Sequence, residues 1–592
     1  MVDAVAHRGP DGQGAYCDGP VGLGHRRLAI IDLTDDGAQP MTEAETGAVI
    51  VFNGEIYNYL ELREELGAKG YAFRSQSDTE VILAAYREWG PDCVRRFNGM
   101  WAFAIHDPAH KTVFCSRDRF GVKPFYFVDR PDVFAFGSEI RQLLPFVDRR
   151  VANRDVLTDY LCFGIDEIGV DTFFEGIRRL PPSHNLMFDV QAGTYRITRY
   201  YAVEQTAVAE LSLDDMAARV RDLFTDSVRL RLRSDVRVGT CLSGGLDSSS
   251  VAAVASELNE RNGGPQFCAI TAASASPHND ESAYAQMVVD QSDLDWRRIR
   301  PEYPEFAAQL AEVVRAQEEP FLSPSVCMQF FVMQEAKTQG LRVLLDGQGG
   351  DETLLGYERH NATHLRTVYR ERGLRATLRA IRDHARIVNS SPARQIFAAA
   401  AFASAPARWL SHRRRMPGAA HFPPISYFAR RHNRPVTTVF DLQRREVQEE
   451  SIPHLLRYED KNAMWHAVET RLPFLDYRLV EYALNLPVDA KIHEGWTKFA
   501  LRRAMEGLLP DAIAWRRTKL GFEAPNNLWL PALRPRMLEA VAGSMIFREF
   551  FGERAGRAAA ERLPQNTLWR FYVAALWERE FGVSSVSAGS AA

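Results

Sequence analysis

Apolar and polar positions alternate in short runs through the first two hundred residues. GLGHRRLAIID, AVIVFNGEIYN, MWAFAIHD, KTVFCSRD, KPFYFVD and VFAFGSE carry strand-like patterns, and Asn-Gly, Asp-Arg and Gly-Val punctuate them. Helical periodicity is confined to 59–70 and 79–89, and Ser77, Asp78 and Thr79 offer N-caps for the second. Residues 1–200 are therefore predicted to form an α+β layered domain with antiparallel sheets. Two tyrosines then give way to AVEQTAVAELS near 198–212, a predicted linker. Beyond it the period changes. Strands are predicted at 236–242, 266–272, 296–300 and 342–345, and helices at 248–258, 282–291 and 325–339. Strand–helix repetition makes parallel βαβ units, so 212–585 is predicted to hold an α/β doubly wound parallel sheet. After Asp351 the pattern is mostly helical, and the tail VSSVSAGSAA reads as disordered.

Composition narrows the classes. The chain has 592 residues, 46% apolar and 25% charged, an ordinary balance for a globular protein. Its net charge of −4 argues against bulk electrostatic binding to nucleic acid or to an anionic membrane. Seven cysteines without a CxxC pair make neither a disulfide framework nor a zinc cluster, so a cytoplasmic, reducing location is expected. The N-terminus has no apolar core and does not read as a signal peptide. The longest membrane-like stretch, 396–405, falls well short of the ~20 apolar residues of a transmembrane helix.

The strongest local signal is VGTCLSGGLDSSSVAA, residues 238–253. A strand ends in Ser-Gly-Gly-Leu-Asp-Ser-Ser and a helix follows. Gly244 and Gly245 allow close backbone approach, and the helix start presents unpaired N–H groups and a positive dipole end. Ser243, Ser248 and Ser249 add hydroxyl donors, giving an anion cradle of pyrophosphate size. The chain contains no Gly-Lys dipeptide, so this is not a Walker loop. A hydroxyl-rich loop without that lysine suits cleavage of ATP between the α and β phosphates. It resembles the PP-loop of the ATP pyrophosphatases, in which Asp247 would help position Mg²⁺ and the phosphates.

NGEIYN (53–58), SDTEVIL (77–83), RDRFGVKPFY (117–126), DGQGGDE (346–352), ETRLPFLDYRLVEYAL (469–484) and KLGFEAPNNLWL (519–530) occur in one order. Together they resemble the glutamine-dependent asparagine synthetase family, from His7 to about Tyr572. That family pairs an N-terminal-nucleophile (Ntn-hydrolase-like, αββα) glutaminase with a PP-loop synthetase, and ammonia passes through an internal tunnel to a carboxylate adenylated by ATP. The resemblance implies that Asn53 and the Gly54 N–H stabilise an oxyanion. It implies that Arg27, with Leu28, Ala29, Ile30 and Ile31, holds the carboxylate of glutamine, and that Asp78 and the carbonyl near Glu55 hold its ammonium. In the synthetase half it assigns Ser243, Gly244, Gly245, Asp247, Ser248 and Ser249 to ATP phosphates, and the backbone of Cys241, Ile270, Asp346 and Gly347 to adenosine. Lys519 matches the family's pyrophosphate-contacting lysine, Lys498 falls at a matched basic position among the ATP-binding residues, and Asp351, with Asp247, is a candidate for Mg²⁺. Glu469, Arg471 and Asp476 read as a buried ionic frame.

Two departures qualify the resemblance. The family begins Met-Cys-Gly with the cysteine as nucleophile, whereas this chain begins Met1-Val2, and Cys17 lies in a predicted loop without an α-amine. Either the start is assigned downstream of the true one, or the glutaminase is inactive and free ammonia is the donor; the chain as given is expected not to hydrolyse glutamine. The second is Gly347-Gln348-Gly349, where these synthetases commonly carry Gly-Glu-Gly, with Asp346 in place of serine. Gln348 is assigned to the meeting point of adenylate and ammonia, yet glutamine cannot take a proton. The acceptor is aspartate by family, or another carboxylate such as a sugar acid of a surface polysaccharide; a non-catalytic homologue is the third reading. A homodimer is left open. Finally, 366–415 reads as a basic amphipathic helix, either a solvated cover for the synthetase site or a docking face for an anionic or lipid-linked acceptor.

Overall fold

The computed structural model describes residues 1–167, 169–207, 211–432, 436–517 and 521–587. In the N-terminal part an antiparallel six-stranded sheet runs in the order Thr194–Arg199, His184–Asp189, Thr112–Arg117, Gly99–Asp107, Val49–Ile56, Met41–Thr42. Its alternation sends Ile50, Phe52, Phe103 and Ile105 to one face, against Val81, Ile82 and Ala85 of helix Asp78–Trp89. Val49, Val51, Ala102 and Ala104 go to the other face, against Leu23 and Phe127 from the smaller sheets and Phe125 just before one of them. Both faces are thus buried, which accounts for the apolar runs. Ser77 caps the helix by accepting from the Thr79 N–H.

The C-terminal part is built on a five-stranded, wholly parallel sheet. Its order is Asp295–Ile299, Cys268–Ala272, Val238–Cys241, Val343–Leu345, Glu469–Arg471. Four of these strands match the predicted ones. The fifth, Glu469–Arg471, was read only as an ionic frame; over 120 residues of mostly helical chain separate it from its neighbour, too far for a local βαβ pattern. Helices Leu213–Arg231 and Tyr303–Gln317 were also not predicted.

The two parts share a core. Leu157, Tyr160 and Phe173 pack in one cluster with Phe306, Trp529, Trp569 and Trp577. The helical turns at Arg154–Thr158 and Asp159–Phe163, unread in the sequence, supply that contact. The tail departs from the expected disorder: Ser585–Val586 pairs in parallel with Val151–Ala152, and Val583 is buried. The short strand 151–152 gives those backbone groups a partner; residues 588–592 lie outside the described residues. Among the described residues, no helix is long and apolar enough to cross a membrane.

Candidate active site

Strand Val238–Cys241 delivers the chain into a loop that turns at Gly244 (φ 81). A Cβ there would stand 2.6 Å from the Ala285 nitrogen, so only glycine fits. Gly245 is the N-cap of helix Leu246–Arg261, and its N–H donates to Ser243 Oγ at 3.2 Å. The Ser243 N–H donates to Ser248 Oγ (3.1 Å), and the two hydroxyls lie 2.9 Å apart. Ser249 has a buried hydroxyl without a hydrogen-bond partner among the described residues. Cys241 and Ile270 are opposite on adjacent parallel strands, and the Leu242 N–H donates to the Ile270 carbonyl.

The loop 346–352 packs directly on this cradle. A Cβ on Gly347 would meet the Ser248 nitrogen at 2.8 Å, and one on Gly350 would meet Asp247 Cγ at 2.6 Å. Glycines therefore permit the approach that the spacing alone did not reveal. The buried ammonium of Lys498 bonds Asp247 and reaches Asp351 at 2.7 Å. Burial pulls its pKa down, but the two carboxylates hold it above the ordinary lysine value. Two carboxylates around one cationic group are hard oxygen donors of the kind Mg²⁺ takes alongside phosphates. Among the described residues, no cluster of three or more His, Cys, Asp or Glu forms a metal site. Glu352 turns into the helical layer, accepting from the Tyr357 hydroxyl at 2.8 Å.

Asp346 ends strand Val343–Leu345. Burial pushes its carboxyl up to about 6, opposed by the bond it accepts from the Gly347 N–H (2.5 Å). Burial, then the charge of Asp346, also holds the neighbouring Glu459 well above the usual carboxylate range. Gln348 is half-buried in the same loop.

The second site is a cavity of about 390 Å³ in the N-terminal part, lined by Arg27, Leu28, Ile30, Ile31, Asn53, Gly54, Glu55 and Asp78. Arg27 donates to the carbonyls of Thr34 (2.6 Å) and Asp32. Asn53 Nδ2 reaches Ser138 Oγ at 3.4 Å. Ala29 is not brought in: its N–H donates to Asp11. Asp78 accepts from the Ile56 N–H (2.8 Å), yet burial raises its pKa to about 7. Glu469 and Met464 of the C-terminal part complete the lining.

Arg471 ties the two sites. Its guanidinium pairs with Glu55 (3.2 Å) and Glu469 (2.9 Å) and donates to the carbonyls of Arg231 and Arg233. Its own carbonyl accepts from the Asp346 N–H at 3.0 Å. Asp476, read as part of the same frame, pairs elsewhere, with Arg231 (3.3 Å) and Arg478 (2.8 Å), and accepts from Asn98 of the N-terminal part.

Comparison with known proteins decides the family. The model described as Glutamine amidotransferase domain matches residues 1–201, and that described as Asparagine synthase matches 219–579. The chain belongs to the asparagine synthase family. Glutamine-hydrolyzing asparagine synthetase 3 of Bacillus subtilis is 31% identical over 535 residues, covering 87% of this chain and 82% of that one. Asparagine synthetase 1 of the same organism is 30% identical, over 90% and 84%. An amidase (chry2) of Gibberella zeae is 27% identical, over 89% and 85%. This asparagine synthase family member is thus an amidotransferase ligase whose N-terminal part is a glutamine amidotransferase domain, and ATP dependence comes with the family.

Two groups at the synthetase site escaped the sequence reading. Arg516, from the same RRTK segment as Lys519, donates to the Gly244 carbonyl (3.4 Å), pairs with Glu281 (2.7 Å) and lies over the Tyr284 ring. Glu459 sits in helix Ser451–Trp465, ten residues before the quoted ETRLPFLD motif. Neither carries a local pattern that separates it from a surface charge. Lys519 itself lies outside the described residues.

Proposed function

We propose that this enzyme amidates a carboxylate through an acyl-adenylate, releasing AMP and pyrophosphate, with residues 1–200 serving glutamine and 212–585 serving ATP. The observation that carries the reading is the convergence of two glycine-rich loops around Lys498, Asp247 and Asp351. ATP phosphates take the N–H groups opening helix Leu246–Arg261, with Ser243, Gly244, Gly245, Ser248 and Ser249 around them. Cys241, Ile270, Asp346 and Gly347 hold adenosine at the carboxyl edge of the sheet, where such folds bind ligands. The acceptor carboxylate attacks the α-phosphorus and pyrophosphate leaves, its charge neutralised by Lys498, Arg516 and Lys519. Mg²⁺ held by Asp247 and Asp351 would add charge neutralisation when bound.

Ammonia then attacks the acyl carbon, and AMP leaves. The proton it sheds goes to Asp346, whose raised pKa makes it a better base than an ordinary aspartate, with Glu459 behind it. In the N-terminal cavity Arg27, Leu28, Ile30 and Ile31 hold glutamine's carboxylate end and Asp78 its ammonium, and Asn53 and Gly54 would meet an oxyanion; ammonium is the donor expected of the chain as given. The acceptor is aspartate, as the names of the Bacillus relatives suggest. A second reading, another carboxylate such as a sugar acid, is favoured by Gln348. All seven cysteines are free, which suits a reducing cytoplasm.

The test is nucleotide analysis of the purified enzyme with ammonium and a panel of carboxylates including aspartate and uronic acids. AMP and pyrophosphate are expected with one of them. ADP and phosphate, or no cleavage with any carboxylate, would sink the reading.

A further inference from the structure

Charge is unevenly spread over this chain. Residues 366–415 hold twelve arginines against two acids, a net of +10 in a protein of net −4. Helix His360–Ile387 breaks at Gly373 (φ 75) and continues past it with an unusual face. Leu374, Arg375, Leu378, Arg379, Arg382 and Arg386 recur at spacings of three and four and are all exposed, so they form one arc. Leu374 is 61% and Leu378 52% exposed, while Ile381, His384 and Ala385 face inward. A water-facing helix surface normally keeps leucines out of that arc.

Helix Pro392–Ala403 packs beside it, Asn361 donating to Gln395 at 3.3 Å, and exposes Arg394, Ile396 and Phe397, the last at 75%. Acids close to the arc are few. Asp383 is half-buried and lies 3.6 Å from Arg386. Glu371 precedes the break, and Asp489 of a neighbouring element pairs with Arg372, also before it. The inward side is fastened: His384 Nδ1 lies 3.3 Å from the Gly495 carbonyl, in the turn leading to Lys498.

We propose that this face docks the enzyme on an anionic lipid surface. Leu374, Leu378, Ile396 and Phe397 enter the boundary between headgroups and acyl chains, and Arg375, Arg379, Arg382, Arg386 and Arg394 meet lipid phosphates. Exposed apolar side chains among solvent-facing cations, lying along the surface rather than across it, are what interfacial helices present. An acidic protein would satisfy the arginines but give a ring of leucine and phenylalanine only a partner-specific pocket; a nucleic acid would leave those side chains in water. The proposal is independent of which carboxylate is amidated.

The test is co-sedimentation of the full chain with phosphatidylcholine vesicles and with vesicles holding about 30% phosphatidylglycerol. Binding about tenfold stronger to the anionic vesicles is expected, weakening between about 0.05 and 0.5 M salt. Two triple variants, Leu374→Ser/Leu378→Ser/Phe397→Ser and Arg375→Gln/Arg379→Gln/Arg382→Gln, should each lose about tenfold in vesicle binding. Because these positions are exposed, AMP formation in solution should be unchanged in both. Equal binding to neutral vesicles, no binding to anionic ones, or unchanged binding by both variants would overturn the proposal. So would displacement from vesicles by a polyglutamate peptide or duplex DNA at equal charge concentration, which would hand the face to an acidic protein or to nucleic acid.

Discussion

Lys498 stands between the two carboxylates that sequence reasoning reserved for magnesium, in a left-handed backbone conformation (φ 55). Holding a non-glycine residue there costs on the order of 1–3 kcal/mol, so the surrounding structure must over-determine it. Lys498→Met should therefore abolish pyrophosphate release, and Asp247→Ala or Ser243→Ala should do the same with either nitrogen donor. Near-normal release in these variants, followed by a coupled pyrophosphate assay, would refute the cradle. Gln348→Glu restores a carboxylate beside Asp346; a gain in aspartate-dependent AMP formation is expected, and a loss would make the glutamine the working residue. Asp78 yields a pH prediction. Burial raises its pKa to about 7, so below that value it is neutral and cannot attract an ammonium group. Glutamine affinity should rise with pH by up to about tenfold per unit and level off above 7, and Asp78→Asn should flatten the profile. Calorimetric titration across that range is the measurement, and a profile unchanged by the substitution would exclude Asp78. The same shift carries a stability cost: the folded state binds the proton more tightly, so this group's contribution falls between about pH 4 and 7. Asp476 is the opposite case. Against the upward push of burial, Arg478 and Arg231 hold it near 2, so its contribution is present above about 4 and lost as pH falls towards 2.

At the level of elements, strand Glu469–Arg471 matters more than its three residues suggest. It closes the parallel sheet, and its arginine reaches into the antiparallel half to pair with Glu55. Arg471→Met would leave Glu55 and Glu469 buried without their shared cation. Breaking such a pair from one side costs roughly 3–5 kcal/mol. Urea unfolding should show a loss of that size, and less than about 1 kcal/mol would mean the charges relax by taking up protons instead. Glutamine binding and AMP formation should fall together, since the guanidinium holds Glu55 at the glutamine cavity and the same residue's carbonyl anchors Asp346.

For the whole molecule, the shared cluster of Tyr160, Phe173, Trp529, Trp569 and Trp577 and the pairing of Ser585–Val586 with Val151–Ala152 join the two halves. A core that spans both halves couples their unfolding, so scanning calorimetry should show one cooperative transition. Two transitions well separated in temperature would mean that the halves are independent domains joined by a linker. Deleting the chain after Phe581 should lower that single transition rather than affect the C-terminal part alone.

The sequence by itself determined what local chemistry controls. Period-two runs predicted the antiparallel layers, strand–helix alternation predicted four of the five parallel strands, and Ser-Gly-Gly-Leu-Asp-Ser-Ser marked the anion cradle because glycine turns and helix starts depend on neighbouring residues alone. The ordered motifs named the family. Long-range closure was left to the tertiary structure. It brought Gly347 and Gly350 onto the cradle, set Lys498 between Asp247 and Asp351, placed Arg516 and Glu459 at the site, and carried Arg471 from one half into the other. It also ordered residues 583–587, whose composition reads as disorder until the distant strand Val151–Ala152 supplies their hydrogen bonds. Those contacts join residues far apart in the chain, and no spacing along one segment encodes which distant backbone or charge will complete it.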